Sequence, residues 1–314
     1  MYHLRAKFVK RSAGRSAVAA AAYRSGSRLT DEREGKTHDY TRKRDIEHSA
    51  ILLPSHMPEA LADREALWNA VELGIKRKDG QPAFEVEVAL PRELGRDECR
   101  QLVHEFAQAE FVDKGLPVDL NIHRTVASDG GEHPHCHMLI STRRFRPDGS
   151  LDRVATDLQD NPKLVQKIYA LEQDGKLDEA LLLQDGTNLG HWRQSWEDYS
   201  NRFLHEGGSD ARIDHRTLAA QAIERDLRRE PTPNIGIAFY GRLRGFTQHM
   251  AERVQHWRDV GWRNAVREQF DRIREQKPDL TAEYIAHVRA YAPNLHPELA
   301  QEGPQPQQEI DHER

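Results

Sequence analysis

Hydrophobic positions in the first half of the chain fall into two alternating periods. Residues 2–9 set Leu4, Ala6 and Phe8 against Arg5, Lys7 and Val9, the period-two spacing of a half-buried strand. Ser16 then precedes AVAAAAYRSG, whose alanines favour a helix with Ser16 as its N-cap and Gly26 as its stop. That reading puts Tyr23 in the last turn of a short helix. Beyond a turn at Gly35, THDYTRKR and HSAILLP predict two strands, and PEALADREALWNAVELGIKRK predicts an amphipathic helix of about five turns, ended by Asp79-Gly80. PAFEVEVALP alternates strictly, with Glu85, Glu87 and Ala89 on one face and Val86, Val88 and Leu90 on the other. A helix over about 95–112 leads to PVDLNIHRTV and HCHMLISTRRF, two strands joined by a turn containing Asp129, Gly130 and Gly131.

The order β-α-β-β-α-β-α-β-β predicts an α+β domain in which a mainly antiparallel sheet carries helices on one face. Past about residue 150 the strand signals stop and polar helical text takes over. The expected organisation is a catalytic core over 1–150 and a mainly helical region over 151–290, broken by a loop at 229–236. A disordered tail rich in Gln, Glu and Pro is expected over 291–314.

Composition narrows the classes. With 314 residues, 37% hydrophobic and 31% charged, the chain can bury one substantial core and a smaller unit. No stretch approaches the roughly 20 apolar residues of a membrane span, and the basic start is not followed by an apolar run, so a cytoplasmic protein is expected. The two cysteines, Cys99 and Cys136, exclude a disulfide framework and a four-cysteine zinc site. The net charge of −5 argues against a nucleic-acid partner until its distribution is considered. Residues 1–50 hold 12 Lys and Arg against 6 Asp and Glu, an excess of six positive charges that leaves the other 264 residues at −11. Phosphate contacts are therefore expected in the first fifth, although such runs are as often a solvated face.

The chemistry concentrates in NIHRTVASDGGEHPHCHML. His135 and His137 are two apart on one strand and share a face, while Cys136 points the other way. The hairpin returns that strand beside His123, so three imidazoles can converge on one patch, with His133 in the turn as a fourth candidate. Three neutral ligands leave a divalent cation its charge and open positions, which suits a phosphodiester substrate. The competing reading is a surface or core histidine pair. No paired carboxylates at Glu-x-x-His spacing are present, so the nucleophile is sought elsewhere. A tyrosine phenol, ordinarily of pKa near 10, can serve if cations or a base assist it. Tyr23, followed by Arg24 and Arg28, is the first candidate; Tyr2 and Tyr40 are its rivals, and packing against the sheet is the commoner fate of such a side chain.

These segments resemble the MobA/MobL relaxases, the MobQ class of plasmid mobilisation proteins within the HUH endonucleases. The matching text is YHLRAKFVKRSAGRSAVAAAAYRSG, FEVEVALPREL, IH followed by HPHCHMLIS, and ARIDHRTLAAQAIER at 211–225, spread over about two thirds of the chain. The resemblance implies an HUH relaxase palm, a central antiparallel sheet flanked by helices, with a helical C-terminal appendage. It implies Tyr23 as nucleophile, His123, His135 and His137 as ligands of a divalent metal (manganese or magnesium ahead of zinc), and Glu87 in preference to Glu85 as assisting acid. His133 stands where relatives often carry Asn, and the turn before the His-x-His is longer than theirs. The implied activity is site- and strand-specific nicking of plasmid DNA at the origin of transfer, through a 5′-phosphotyrosyl intermediate that is later reversed. Implied partners are relaxosome accessory proteins and a conjugative coupling protein, with passage of the protein alongside the DNA into the recipient cell.

Arg15, Arg24, Arg28, Arg42, Lys43, Arg44, Arg143 and Arg144 are the candidate phosphate contacts, joined by Arg146, and unstacked bases could rest on Tyr40 or Phe145. Asp214, His215 and Arg216 have no derivable role beyond a helix cap. Two alternatives stay open: a rolling-circle replication initiator with the same chemistry, and a non-catalytic DNA-binding protein whose histidines hold structural zinc. No Walker A motif is present, so no motor is expected within this chain.

Overall fold

The computed structural model describes residues 3–127, 130–174, 177–184, 186–216, 255–256 and 259–265. Met1–His215 form one compact unit and Arg216–Arg314 a second. The first unit is built on a five-stranded antiparallel sheet in the order β1-β5-β7-β6-β4, from β1 (Leu4–Val9), β4 (Ile46–Leu52), β5 (Ala83–Ala89), β6 (Val118–Val126) and β7 (Glu132–Ser141). The expected strands and hairpin are present. A hairpin of β2 (Arg28–Asp31) and β3 (Lys36–Asp39) and a second of β8 (Arg143–Phe145) and β9 (Leu151–Val154) lie outside that sheet. The strand signals therefore run slightly past residue 150, and HCHMLISTRRF is two strands rather than one.

Helices cover both faces of the sheet, which corrects the one-face expectation. On one face, Val86, Val88, Leu120, Ile122, Cys136 and Met138 form a core with α3 (Arg96–Ala107) and α6 (Asn188–Glu206), the latter contributing Trp192, Trp196, Phe203 and Leu204. On the other face, α1 (Ala17–Ser25) and α2 (Arg64–Gly74) pack through Ala17, Val18, Ala21, Leu67, Trp68 and Val71 against Val9, Ala83 and Leu139. The reason is visible in β6, where every residue from Val118 to His123 is buried, polar ones included. Strict alternation cannot advertise a second face whose buried residues are Asp119, Asn121 and His123.

Helix α2 is shorter than its sequence pattern because Asp63 starts it, accepting a hydrogen bond from the Ala66 amide at 2.8 Å; a separate 3-10 turn, Glu59–Ala62, precedes it. At its far end α3 passes into a π-helical turn, Gln108–Val112. There the buried Glu110 accepts hydrogen bonds from Lys114 at 2.7 Å and Ser195 at 2.7 Å, fastening α6 to the sheet unit. The helical region expected over 151–290 thus contributes α6 to the sheet's own core, together with α4 (Pro162–Gln173) and α5 (Leu177–Gln184) as further helices of the first unit. The loop expected at 229–236 and the tail over 291–314 lie outside the described residues.

Candidate functional site

Antiparallel register brings the three histidines together. His123 on β6 lies directly opposite His135 on β7, and His137 lies opposite Asn121 on one side and Glu87 of β5 on the other. Directly opposed residues share a face, so β6, β7 and β5 project His123, Asn121, His135, His137, Glu85 and Glu87 to the same side. Ring centroids are 5.4 Å apart for His123 and His135, 4.8 Å for His123 and His137, and 5.1 Å for His135 and His137. One nitrogen from each of the three lies within 4.8 Å of the others. His133 stacks on His135 at 5.1 Å, at the exposed end of β7.

Each imidazole is oriented by a second contact. His137 donates from Nδ1 to Glu85 at 2.7 Å, and His135 donates from Nδ1 to the His133 carbonyl at 3.0 Å, which leaves Nε2 of both as the lone-pair nitrogen. His123 donates from Nε2 to the Arg24 carbonyl at 2.6 Å, and its Nδ1 lies 3.6 Å from Asp45. Burial pushes the His123 imidazole down to about 4 and lowers His135 as well, so both rings are neutral at physiological pH, the form that binds a cation. This donor set fits a divalent metal: three imidazole nitrogens, two of them oriented by outer hydrogen bonds from their Nδ1.

The two acids of β5 are not equivalent. Glu85 is 0% exposed. Its Oε1 accepts from both His137 (2.7 Å) and Arg24 Nε (2.6 Å), and its Oε2 pairs with Lys7 at 2.8 Å. Burial alone would raise its carboxyl, but the bonds from His137 and Arg24 overcome that and hold it far below the usual range. Glu87, the acid preferred from sequence, is bound at 2.6 Å by Arg5 of the edge strand and stands 3.9 Å from His137 Nδ1. Alternation identified the shared face. It could not tell depth, which is set by position relative to the sheet edge and to α1.

Helix α1 delivers Tyr23 beside this patch. Ser16 caps it by accepting from the Ala19 amide at 3.3 Å, and Gly26 ends it in the left-handed conformation, φ 62°, as the sequence predicts. The positive φ is what requires glycine there; a Cβ would also meet the tip of Ile46, Cδ1 at 2.3 Å, which would have to turn aside. At the start of α1, the buried Glu72 accepts from the Ala17 amide at 2.7 Å and from Arg11 Nη2 at 2.6 Å, while Ser16 Oγ donates to the buried Asp31. The start of the helix is thereby anchored to α2 and β2. Tyr23 is 50% exposed, with its ring edge-on to Tyr40 at 5.2 Å and Lys43 Nζ 4.2 Å from its centroid.

The candidate phosphate contacts separate into groups. Arg15, Arg28, Arg42 and Arg44 are exposed on the loops and hairpin around α1, and Lys43 is half-buried at Tyr23. Arg24 is turned inward to Glu85. Arg143 and Arg144 follow the opposite end of β7 from the histidines: Arg143 donates to the Asp152 carbonyl, and Arg144 grips Asp157 at 2.9 and 2.7 Å and the Lys114 carbonyl at 2.9 Å. Arg146 pairs with Asp152 at 3.1 Å, and Phe145 is buried in the core. Tyr2 lies outside the described residues, as does any helix begun by Asp214. His215 contacts Glu197 of α6 through both its amide (2.7 Å) and Nδ1 (2.5 Å). Asn121, Lys7 and Asp45 were missed from sequence. Asn121 had a signal, being two residues before His123 on the same strand face; Asp45 precedes its strand with none.

Comparison with known proteins agrees with this architecture. A relative named mobilization protein MobL, from Acidithiobacillus ferridurans, is 36% identical over 262 residues, covering 77% of this chain and 63% of its own length. Mobilization protein A of Escherichia coli is 38% identical over 72% of this chain and 28% of its own length. The chain thus spans less than two thirds of these relatives. A solved structure described as the molecular basis of vancomycin resistance transfer in Staphylococcus aureus superposes with a TM-score of 0.56 at 29% identity, covering 69% of this chain and 99% of that one. The model of the MobA/MobL family matches residues 15–241, a span that takes in the tyrosine helix, the acidic strand and the histidine hairpin, and the chain belongs to that family.

Proposed function

We propose that this protein is a DNA relaxase for plasmid mobilisation, which nicks one strand at the origin of transfer and holds the 5′ end on Tyr23. The observation carrying this reading is the convergence of His123, His135 and His137 beneath the last turn of the helix that presents Tyr23. The relatives' names, as mobilization proteins, support the process. Residues 1–150 hold every group invoked, and α6, from the helical region after residue 150, completes the core beneath them.

The Tyr23 oxygen attacks the scissile phosphorus, the bond from phosphorus to the 3′ oxygen breaks, and the 3′ hydroxyl leaves with the proton. One phosphodiester replaces another, so the step reverses without ATP. A divalent ion held by His123, His135 and His137, manganese or magnesium by preference, would supply Lewis-acid charge to a phosphate oxygen. Glu85 orients His137, and Glu87 holds the edge strand through Arg5. Lys43, with Arg15, Arg28, Arg42 and Arg44, brings positive charge to the strand's backbone. Accessory proteins and a coupling protein complete the assembly, and the protein works in the cytoplasm before passing with the strand to the recipient. Among the described residues no helix is long and apolar enough to cross a membrane.

The test is a denaturing gel of the protein with a labelled single strand from its transfer origin and Mn²⁺. A slow-migrating adduct, lost in Tyr23→Phe and in His135→Ala, is expected. Cleavage without an adduct would replace this reading with a hydrolytic nuclease, and an adduct surviving Tyr23→Phe would move the nucleophile to Tyr40 or Tyr2.

A further inference from the structure

Arg24 follows the proposed nucleophile directly, and its composition-level role would be a phosphate contact. Its geometry points to a different one: Arg24 is a positioning residue that locks the Tyr23 turn onto the histidine face, and it does not bind the strand. This inference rests on the relaxase reading and deepens it.

Four contacts carry it. The Arg24 side chain is only 11% exposed, and its Nε donates to Glu85 Oε1 at 2.6 Å, the same oxygen that accepts from His137 at 2.7 Å. Its Nη1 donates to the Ala20 carbonyl at 2.8 Å, closing the guanidinium over its own helix. Its main-chain carbonyl accepts from His123 Nε2 at 2.6 Å. One residue therefore touches two of the three histidines, directly for His123 and through a shared carboxylate oxygen for His137. Residue 23 lies one peptide unit away, and the glycine at 26 ends the helix immediately afterwards. A guanidinium spent on a buried carboxylate and a carbonyl is poorly placed to meet solvent-borne phosphate, whereas the Arg28 side chain nearby is 69% exposed and its Nε comes no closer than 3.9 Å to Asp39.

The consequence is a split between binding and chemistry. Loosening the brace lets the Tyr23 turn shift relative to the metal ligands, and a displacement of about 1 Å at a reacting group costs on the order of 100-fold in rate. Affinity for the strand does not change, because no phosphate contact is lost. A true phosphate contact behaves oppositely, weakening binding and lowering the slope of log affinity against log salt by roughly one.

The experiment measures single-turnover adduct formation at saturating oligonucleotide, and separately the salt dependence of oligonucleotide binding, for wild type, Arg24→Gln, Arg24→Lys and Arg28→Ala. Arg24→Gln is expected to form adduct on the order of 100-fold more slowly with unchanged affinity and salt slope, and Arg24→Lys to recover part of the rate. Arg28→Ala is expected to show the reverse pattern, with a reduced slope. Thermal melting identifies the working temperature at which each variant is folded, and Arg24→Lys, which keeps the charge, carries the test if Arg24→Gln does not fold. A reduced slope in Arg24→Gln, or a rate equal to wild type in both Arg24 variants, overturns the inference. Absence of any adduct in wild type would remove the relaxase reading, and this inference with it, before a variant is scored.

Discussion

The two faces of the central sheet are made from the same five strands and do opposite things. On the α3 and α6 side, β1, β5, β6 and β7 present Leu4, Val86, Val88, Leu120, Ile122, Cys136 and Met138, an apolar layer closed by Trp192, Trp196 and Phe106. On the α1 side the same strands present Arg5, Lys7, Glu85, Glu87, Asn121, His123, His135 and His137, polar groups tied to one another. The first face gains stability from non-directional burial, at roughly 25 cal/mol per Å² of apolar surface. The second gives some of that up: buried polar groups must find partners, and here Glu85 meets His137 and Arg24 through one oxygen and the Lys7 ammonium through the other. Asp119 accepts from Trp68 Nε1 at 2.9 Å and Arg64 Nε at 2.9 Å, and Asn121 accepts from Ser49 at 2.6 Å. The lesson is that a rigid apolar underside lets the other face hold charged chemistry in one geometry.

The sharpest break of this comparison is Tyr23→Phe, which removes one exposed oxygen from the polar side. Adduct formation is expected to fall by on the order of 10⁴-fold or more, as for loss of a covalent nucleophile. Stability should move by no more than about 0.5 kcal/mol, a surface-sized effect. Single-turnover kinetics paired with urea melts checks both; a large loss of stability would mean that Tyr23 is a packing residue.

Next in size is Trp196→Ala on the opposite face. Trp196 is fully buried and edge-on to Phe106 at 5.1 Å, so truncation should cost about 3–5 kcal/mol. Below the variant's melting range its Mn²⁺ affinity and adduct rate should match wild type. Calorimetric metal titration decides this, and a changed metal affinity would show that the two faces are coupled rather than divided.

How far this division was legible beforehand depends on the kind of signal. Ser16, Gly26 and the alanine run announced α1 because capping and propensity are local. Period two in PAFEVEVALP and in HPHCHML announced which side chains share a face. Depth and partnership were not local: Glu85 is buried and bonded to His137 because Arg24 of α1 and Lys7 of β1 close over it, whereas Glu87 meets Arg5. The four-residue strand Arg28–Asp31 escaped notice because RLTD has too few residues to show a period, and β9, equally short, escaped for the same reason. Charge counting found the basic N-terminal fifth but could not distinguish arginines facing solvent from those spent on acids.

A third prediction works within the polar face. Glu85→Gln keeps a carbonyl acceptor for Arg24 but removes the charge that His137 and Lys7 share. Metal affinity or adduct rate should drop by roughly 10–100-fold, the range for an outer partner of a metal-binding imidazole. Glu87→Gln should fall below about tenfold on the same scale, since its hydrogen bond runs to Arg5 rather than to a histidine. Measuring both in parallel by metal titration ranks the two acids; a larger effect at Glu87 would restore the order that the sequence suggested.

The smallest effect belongs to Arg144→Ala, and it tests the division from the other direction. The sequence offered Arg144 as a phosphate contact, yet its guanidinium grips Asp157 through two bonds and the Lys114 carbonyl through a third. Asp157 is 59% exposed, so this ion pair is screened by water and salt and is worth about 1 kcal/mol at most. The bond to the Lys114 carbonyl adds a similar amount. Arg144→Ala should therefore lower stability by about 1–2 kcal/mol in a urea melt. Oligonucleotide affinity and its salt slope should stay at the wild-type values, because β8 follows Ser141 while His135 and His137 sit near the start of β7. At about 3.3 Å per residue, β7 from His137 to its end at Ser141 already spans on the order of 13 Å before β8 begins. A salt slope reduced by roughly one would instead carry the bound strand across the end of the sheet and make β8 part of the DNA path.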